Sequence, residues 1–189
     1  MLFRSEVHAG IDRIVCFAGW SDKISSLLGN QNPVAQPFHN FTVPEPVGTL
    51  GVIAPESSSF LGFLSLWLPA VCAGNTVVCM ASEHLPLPAL LVAESMPSSD
   101  LPAGVFNLLT GTRKELLPAF AAHRDLDGIV ACGDAKEGAA LREAGADNLK
   151  RVRVVASDAD FECERAWEGP EAFRGAVEYK TVWHPMSAE

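Results

Sequence analysis

The chain has 189 residues, 48% of them hydrophobic, which suits one domain with a substantial core and an appendage but not two full domains. Lys and Arg total 14 against 23 Asp and Glu, a formal charge of −9, so a nucleic-acid backbone or an anionic membrane is repelled and neither is expected as a partner. The five cysteines, at 16, 72, 79, 132 and 163, give no C-x-x-C pair or zinc spacing, and the five histidines give no ligand set; no metal is expected, and the thiols read as free in a reducing, cytoplasmic compartment.

At the N-terminus, Arg4 and Glu6 interrupt MLFRSEVHAGIDR before an apolar run develops, so no signal peptide is expected. The most apolar run, Phe60 to Ala73, falls short of the ~20 residues of a membrane span and contains Pro69. Residues 7–28 place Ile11, Ile14, Val15, Ala18, Ile24 and Leu27 near helical spacing, which predicts an amphipathic helix ended by Gly29 and Asn30. Residues 30–46 read as an extended connection or edge strand.

From Val47 strands and helices alternate. VGTLGVIAP, TVVCMAS, GVFNLLTG, DGIVACG and KRVRVV read as buried strands, and SSFLGFLSLWLPAVCAG, LPALLVAESM, ELLPAFAAHR and AKEGAALREAG as the helices between them. Strands of continuous apolar character need both faces covered, which predicts an α/β fold with a doubly wound parallel sheet over 47–156. Ligands in such sheets meet the carboxyl ends of strands, which fall at 54–59, 80–83, 110–114 and 132–136. Residues 157–175 are acidic and without period, and read as a linker. The closing VEYKTVWHP alternates as a strand does, within a C-terminal segment 176–189. The strands at 36–47 and 176–183 lack an evident partner in the main sheet, and such edges invite pairing with another chain.

The pieces AGWSDKI, EPVG, Pro55, PAVCAGNTVV, Ser82-Glu83, LPAGVFNLLTG, H-x-D-x-D at 123–127 and KRV at 150–152, in this order, resemble the aldehyde dehydrogenase superfamily over roughly residues 10–156, and EYKTVW resembles it again near the C-terminus. The resemblance implies a Rossmann-like NAD(P)-binding domain, a catalytic domain with a cysteine nucleophile and a small β oligomerisation element. The catalytic domain is expected to be absent, because about twenty residues separate the KRV strand from EYKTVW. The pattern is similar to the degenerate second module of the aldehyde dehydrogenase family 16 proteins, and the opening Met1 then suggests a fragment, an alternative start or a shortened isoform.

The resemblance places vestigial cofactor contacts at Ser82, Glu83, Gly111 and Gly133. Around them the chemistry departs from the family pattern. Glu56-Ser57-Ser58-Ser59 stands where Trp-Asn-Phe-Pro supplies an oxyanion donor, Met80 where a lysine holds the adenosine ribose, and Val155 where the general base lies. Asp134 stands where a serine meets the pyrophosphate, and with Glu137 three residues on it predicts a capping box that uses the same helix-terminal amides. Arg113 and Lys114 read as a solvated basic turn, with attraction of a phosphate, and so retained nucleotide affinity, as the alternative. Cys163, between Glu162 and Glu164, lacks the electropositive surroundings of a thiolate nucleophile.

No catalytic residue is assigned. The expectation is a non-catalytic aldehyde-dehydrogenase-like module, a pseudoenzyme, that forms a homo-oligomer or docks to another aldehyde dehydrogenase module, with no cofactor required. The alternatives are an NAD(P)-dependent aldehyde oxidoreductase completed by a catalytic domain from another chain, and a sensor that holds NAD without turning it over.

Overall fold

Two sheets organise the chain, a computed structural model of which describes residues 2–186, the side chains of 2–4, 164 and 165 excepted. The elements in order are α1 (Leu2–Trp20), α2 (Ile24–Leu28), β1 (Asn30–Gln31), β2 (Phe38–Pro46), β3 (Thr49–Ile53), α3 (Leu61–Cys72), β4 (Thr76–Met80), α4 (Leu87–Ser95) and β5 (Phe106–Leu109). There follow α5 (Arg113–Ala122), β6 (Gly128–Gly133), α6 (Ala135–Gly145), β7 (Arg151–Ala156), α7 (Glu164–Trp167) and β8 (Val177–Pro185). The larger sheet is parallel with order β5-β4-β3-β6-β7. The chain winds outward from β3 to β5 and then crosses back to β6, so the winding reverses between β3 and β6.

Helices on both faces account for the unbroken apolar strands. On one face Leu50, Val52 and Val77 pack against α3, where Phe63 and Trp67 meet Phe106 of β5. On the other, Ile53, Met80 and Ile129 pack against Phe120 of α5 and Leu141 of α6. Every residue of α3 from Leu61 to Trp67 is buried, because the helix lies between the sheet, α1 and the chain that follows β7.

α1 reverses the expected face. Ile11, Ile14 and Val15 are exposed, whereas Gly10, Arg13 and Phe17 are buried; in α2 Leu27 is exposed and Ile24 is buried. Arg13, 1% exposed, donates through Nε to Glu168 Oε1 at 2.9 Å, through Nη1 to Ser65 Oγ and through Nη2 to the Phe161 carbonyl at 3.1 Å. A charge with this many partners is the anchor that apolar periodicity overlooks. The helix expected over 7–28 is also interrupted by a turn at 21–23.

Residues 157–175, expected as a linker, are instead a packed cover. Phe161 stacks on Trp167 with ring centroids 4.6 Å apart, and Phe173 meets Phe17 and Trp20 edge-on. The acidic residues between them hid this spacing of aromatic anchors.

β1, β2 and β8 form a separate antiparallel ribbon, in which β2 pairs with β8 from Phe38↔Pro185 to Pro46↔Val177. The two strands expected to lack a partner in the main sheet have none there and pair with each other, with β2 as the central strand of the ribbon. Residues 187–189 of the expected C-terminal segment lie outside the described residues.

The ribbon meets the larger sheet at Asn75. Its Oδ1 accepts the Gly48 N–H at 2.9 Å, and its Nδ2 donates to the carbonyls of Ala70 at 2.8 Å and Ala176 at 2.7 Å. Gly48 has φ +134° and lies against the Asp127 carboxylate, which accepts the Thr49 N–H at 2.8 Å. A side chain at position 48 would meet both left-handed backbone strain and that carboxylate. The glycine of EPVG, the asparagine of PAVCAGN and the last aspartate of H-x-D-x-D thus hold one joint. No helix of the described residues is long and apolar enough to cross a membrane.

Candidate functional site

In an open α/β sheet the ligand crevice lies at the carboxyl ends of the strands where the winding reverses, which here is between β3 and β6. Arg113, the first residue of α5, reaches back across that point. Its Nη1 donates to the Ala54 carbonyl beyond β3 at 3.1 Å and its Nη2 to the Cys132 carbonyl of β6 at 2.8 Å. The same guanidinium pairs with Glu137 of α6 at 3.0 Å and lies 3.6 Å from Glu56. With its side chain 15% exposed, Arg113 is not the solvated basic turn its sequence suggests.

Glu56 follows β3 and closes the crevice from the β4 side. Its carboxylate accepts the Ser82 hydroxyl at 2.6 Å and the N–H groups of Glu83 at 3.0 Å and His84 at 3.2 Å. Burial acts to raise its pKa, but the hydrogen bonds from Ser82, Glu83 and His84 and the charge of Arg113 outweigh it, so the pKa lies below the usual carboxylate value. At α6 the capping box forms as its spacing predicts: Asp134 Oδ1 accepts the Glu137 N–H at 2.8 Å and Glu137 Oε2 accepts the Asp134 N–H at 3.2 Å.

The structure brings the four residues Ser82, Glu83, Gly111 and Gly133 to this end of the sheet and engages them internally. Ser82, 2% exposed, donates to Glu56 and accepts the Leu85 N–H at 3.0 Å. Glu83 accepts the Arg113 N–H at 2.7 Å and so completes the start of α5. The Cβ position of Gly111 abuts Leu116 at 2.9 Å, and that of Gly133 abuts the Glu137 carboxylate and Arg113 Nη2 at 3.3 Å. Met80 is 0% exposed within the core, and Val155 is also buried there. Ser57 points its hydroxyl to the Ser157 carbonyl at 3.3 Å.

Sequence reasoning missed Arg113 and Glu56 as the hubs of this network. The available signal was charge of opposite sign beyond the carboxyl ends of β3 and β5, two strands that β4 separates in the sheet.

Thiol chemistry finds no support at the site. Burial pushes Cys132 up to about 11, against the lowering effect of Arg113 and reinforced by Glu137, Glu56 and Asp158. Burial likewise raises Cys72 to about 11 and raises Cys79 and Cys16; protonated thiols are poor nucleophiles. Cys163 is exposed beyond β7, outside the crevice. Among the described residues no group of three His, Cys, Asp or Glu side chains is arranged to hold a metal.

Residues 2–157, which include both strands flanking the crevice, match the family described as "Aldehyde dehydrogenase family". The chain belongs to the aldehyde dehydrogenase family. Retinal dehydrogenase 2 of Taeniopygia guttata is 34% identical over 179 aligned positions, which take in 88% of this chain and 34% of the relative. Aldehyde dehydrogenase 1A1 of Equus caballus is 37% identical over 155 positions, 77% of this chain and 30% of the relative. Among solved structures, an NAD+ complex of an aldehyde dehydrogenase from Bacillus cereus superposes with TM-score 0.75 at 26% identity, covering 80% of this chain and 30% of that one. PnpE in complex with nicotinamide adenine dinucleotide superposes with TM-score 0.70 at 32% identity, covering 77% and 30%. The chain therefore spans about a third of the length of these relatives.

Proposed function

We propose that this chain is a non-catalytic aldehyde dehydrogenase module whose architecture serves association, with further copies of itself or with a catalytic aldehyde dehydrogenase module. The observation that carries the reading is the Arg113 guanidinium, which bridges the ends of β3 and β6 and is held there by Glu137 and Glu56.

A dinucleotide does not fit the crevice in this arrangement. Its pyrophosphate would meet Glu56, Asp134 and Glu137, and a pair of like charges at about 4 Å repels by ~1–4 kcal/mol between bulk water and a protein surface. The amides at the start of α6 that would receive a phosphate are capped by Asp134 and Glu137. The Arg113 guanidinium, which could offset these charges, already has carboxylate and carbonyl partners.

The association half of the reading rests on the ribbon. Among the described residues strand β8 pairs with β2 on one side only, and Tyr179 and Trp183 on it are 58% and 60% exposed. An open edge carrying exposed aromatic residues is suited to continuation by a strand of another chain.

Calorimetric titration with NAD and NADP tests the cofactor half. No binding at millimolar cofactor is the expected result, and micromolar binding overturns the reading in favour of a sensor or of an oxidoreductase completed by another chain. An aldehyde oxidation assay on the chain alone is expected to give no turnover.

A further inference from the structure

Strand β7 forms one edge of the larger sheet and pairs only with β6 among the described residues. The Arg151 N–H donates to the Asp127 carbonyl, toward β6. Alternation along the strand then turns the backbone groups of Val152 and Val154 outward to the open edge. Beside that edge lies a groove of about 570 Å³ lined by Arg142, Arg151, Arg153, Arg174, Glu171 and Gly175, together with Val152 and Val154 themselves.

Four arginines on one groove stand out in a chain of formal charge −9, and they are placed on the two faces of the sheet. Val152 and Val154 face α6, where Gly138 and Gly145 leave them room. Arg151 and Arg153 face the opposite side. There Arg153 donates through Nη1 to the carbonyls of Ala172 at 2.9 Å and Arg174 at 3.0 Å, fixing the turn that carries Arg174. Arg151 pairs with Glu178 at 2.8 Å, half in solvent. The Arg142 and Arg174 guanidinium groups are exposed, and neither has a hydrogen-bond partner among the described residues. Burial lowers the pKa of Arg153, the proximity of Arg174 lowers it further, and Glu171, the single carboxylate of the groove, offsets only part of this.

We infer that the open edge of β7 takes an extended peptide strand of alternating acidic and apolar residues, supplied by a partner protein. Residues facing each other across a ladder share a face of the sheet. An added strand therefore sets its apolar side chains beside Val152 and Val154 and its carboxylates beside Arg151 and Arg174, while its backbone pairs with the outward groups of 152 and 154. The guanidinium fork suits a carboxylate at two points. A second copy is disfavoured as occupant, since two β7 edges would bring their arginines together. Charge guards the edge against its own kind and admits a strand of opposite sign.

A fluorescein-labelled peptide of alternating Glu and Val, titrated into the chain and followed by anisotropy, tests the site. Saturable binding is expected that weakens with salt, and that falls about tenfold or more in Arg174→Glu and by less in Arg142→Glu, which lies on the α6 side with Val152 and Val154. Both residues are exposed and outside the core, and circular dichroism verifies that each variant is folded; Arg174→Gln supplies a milder change with a smaller expected loss. Amide exchange is expected to slow at Val152 and Val154 when the Glu–Val peptide binds. Absence of binding, equal binding of a Lys–Val peptide, or unchanged affinity in the folded Glu variants overturns the proposal. Binding without protection at 152 and 154, or full displacement by millimolar inorganic phosphate, reduces the groove to a site for small anions and overturns it equally.

Discussion

The Ser82 hydroxyl donates to the Glu56 carboxylate across 2.6 Å, linking the chain just beyond β4 to the chain just beyond β3. Glu56→Gln keeps the shape and removes the charge that draws Ser82, two backbone amides and Arg113 together. A loss of about 1–2 kcal/mol is expected, read as a fall of ~2–8 °C in the thermal midpoint for a chain of this size.

The same carboxylate gives stability a pH dependence of defined sign. Its folded pKa lies below the ordinary 4.5, so its contribution is fully present above the unfolded value and is lost as pH falls through the folded one. Urea midpoints measured from neutrality downward should decline in this acid range, and Glu56→Gln should decline less steeply than the parent chain.

Gly48 and Gly104 both have positive φ, at +134° and +85°, but only Gly48 lies against another group; nothing is within 4 Å of the Cβ position of Gly104. Gly104→Ala therefore meets backbone strain alone, at about 1 kcal/mol. Gly48→Ala adds a collision with Asp127 and is expected to cost about 3 kcal/mol or more. Chemical denaturation of the two variants side by side checks the ordering.

Arg13→Ala removes a buried guanidinium from three partners and leaves the Glu168 carboxylate without its ion pair, while Ser65 keeps only the Leu61 carbonyl. A loss of about 3–5 kcal/mol is expected, against less than about 0.5 kcal/mol for Ile14→Ser on the exposed face of the same helix. Equal losses would mean that the face containing Ile14 is the one that packs.

Trp183→Lys places a charge on β8 at a position that is 60% exposed and edge-on to Phe38. If the ribbon is where chains associate, sedimentation should show the variant shifted toward monomer with its circular dichroism unchanged. A sedimentation coefficient identical to that of the parent removes this strand edge as the contact.

Much of the sheet is legible in the residues because its signals are local. α6 begins and ends where the Asp134 capping box and Gly145 put it, and the apolar runs at 76–80 and 128–133 are strands as read. Reading fails where a segment is defined by distant partners. The buried face of α1 is set by Glu168, Ser65 and Phe161, which no window around Arg13 contains. The acidity of 157–175 masks Phe161, Trp167 and Phe173, whose spacing follows the surface they cover rather than a helical or strand period. At the candidate site, the positions of Ser82, Glu83, Gly111 and Gly133 follow from strand ends, but their partners do not. Arg113 meets Ala54, Glu56, Cys132 and Glu137 only because the sheet order places β3 beside β6.

Asn75 bonds to Gly48, between β2 and β3, and to Ala176, immediately before β8. Both long strands of the ribbon are therefore fastened at their base by one side chain that is also bonded to the end of α3, and Arg151 of β7 adds a second hold on β8. Mechanically the ribbon is a lever on a fixed pivot and not a tether. A load applied at its tip is delivered as torque to the base of β3, so whatever grips the ribbon also sets the orientation of the whole sheet.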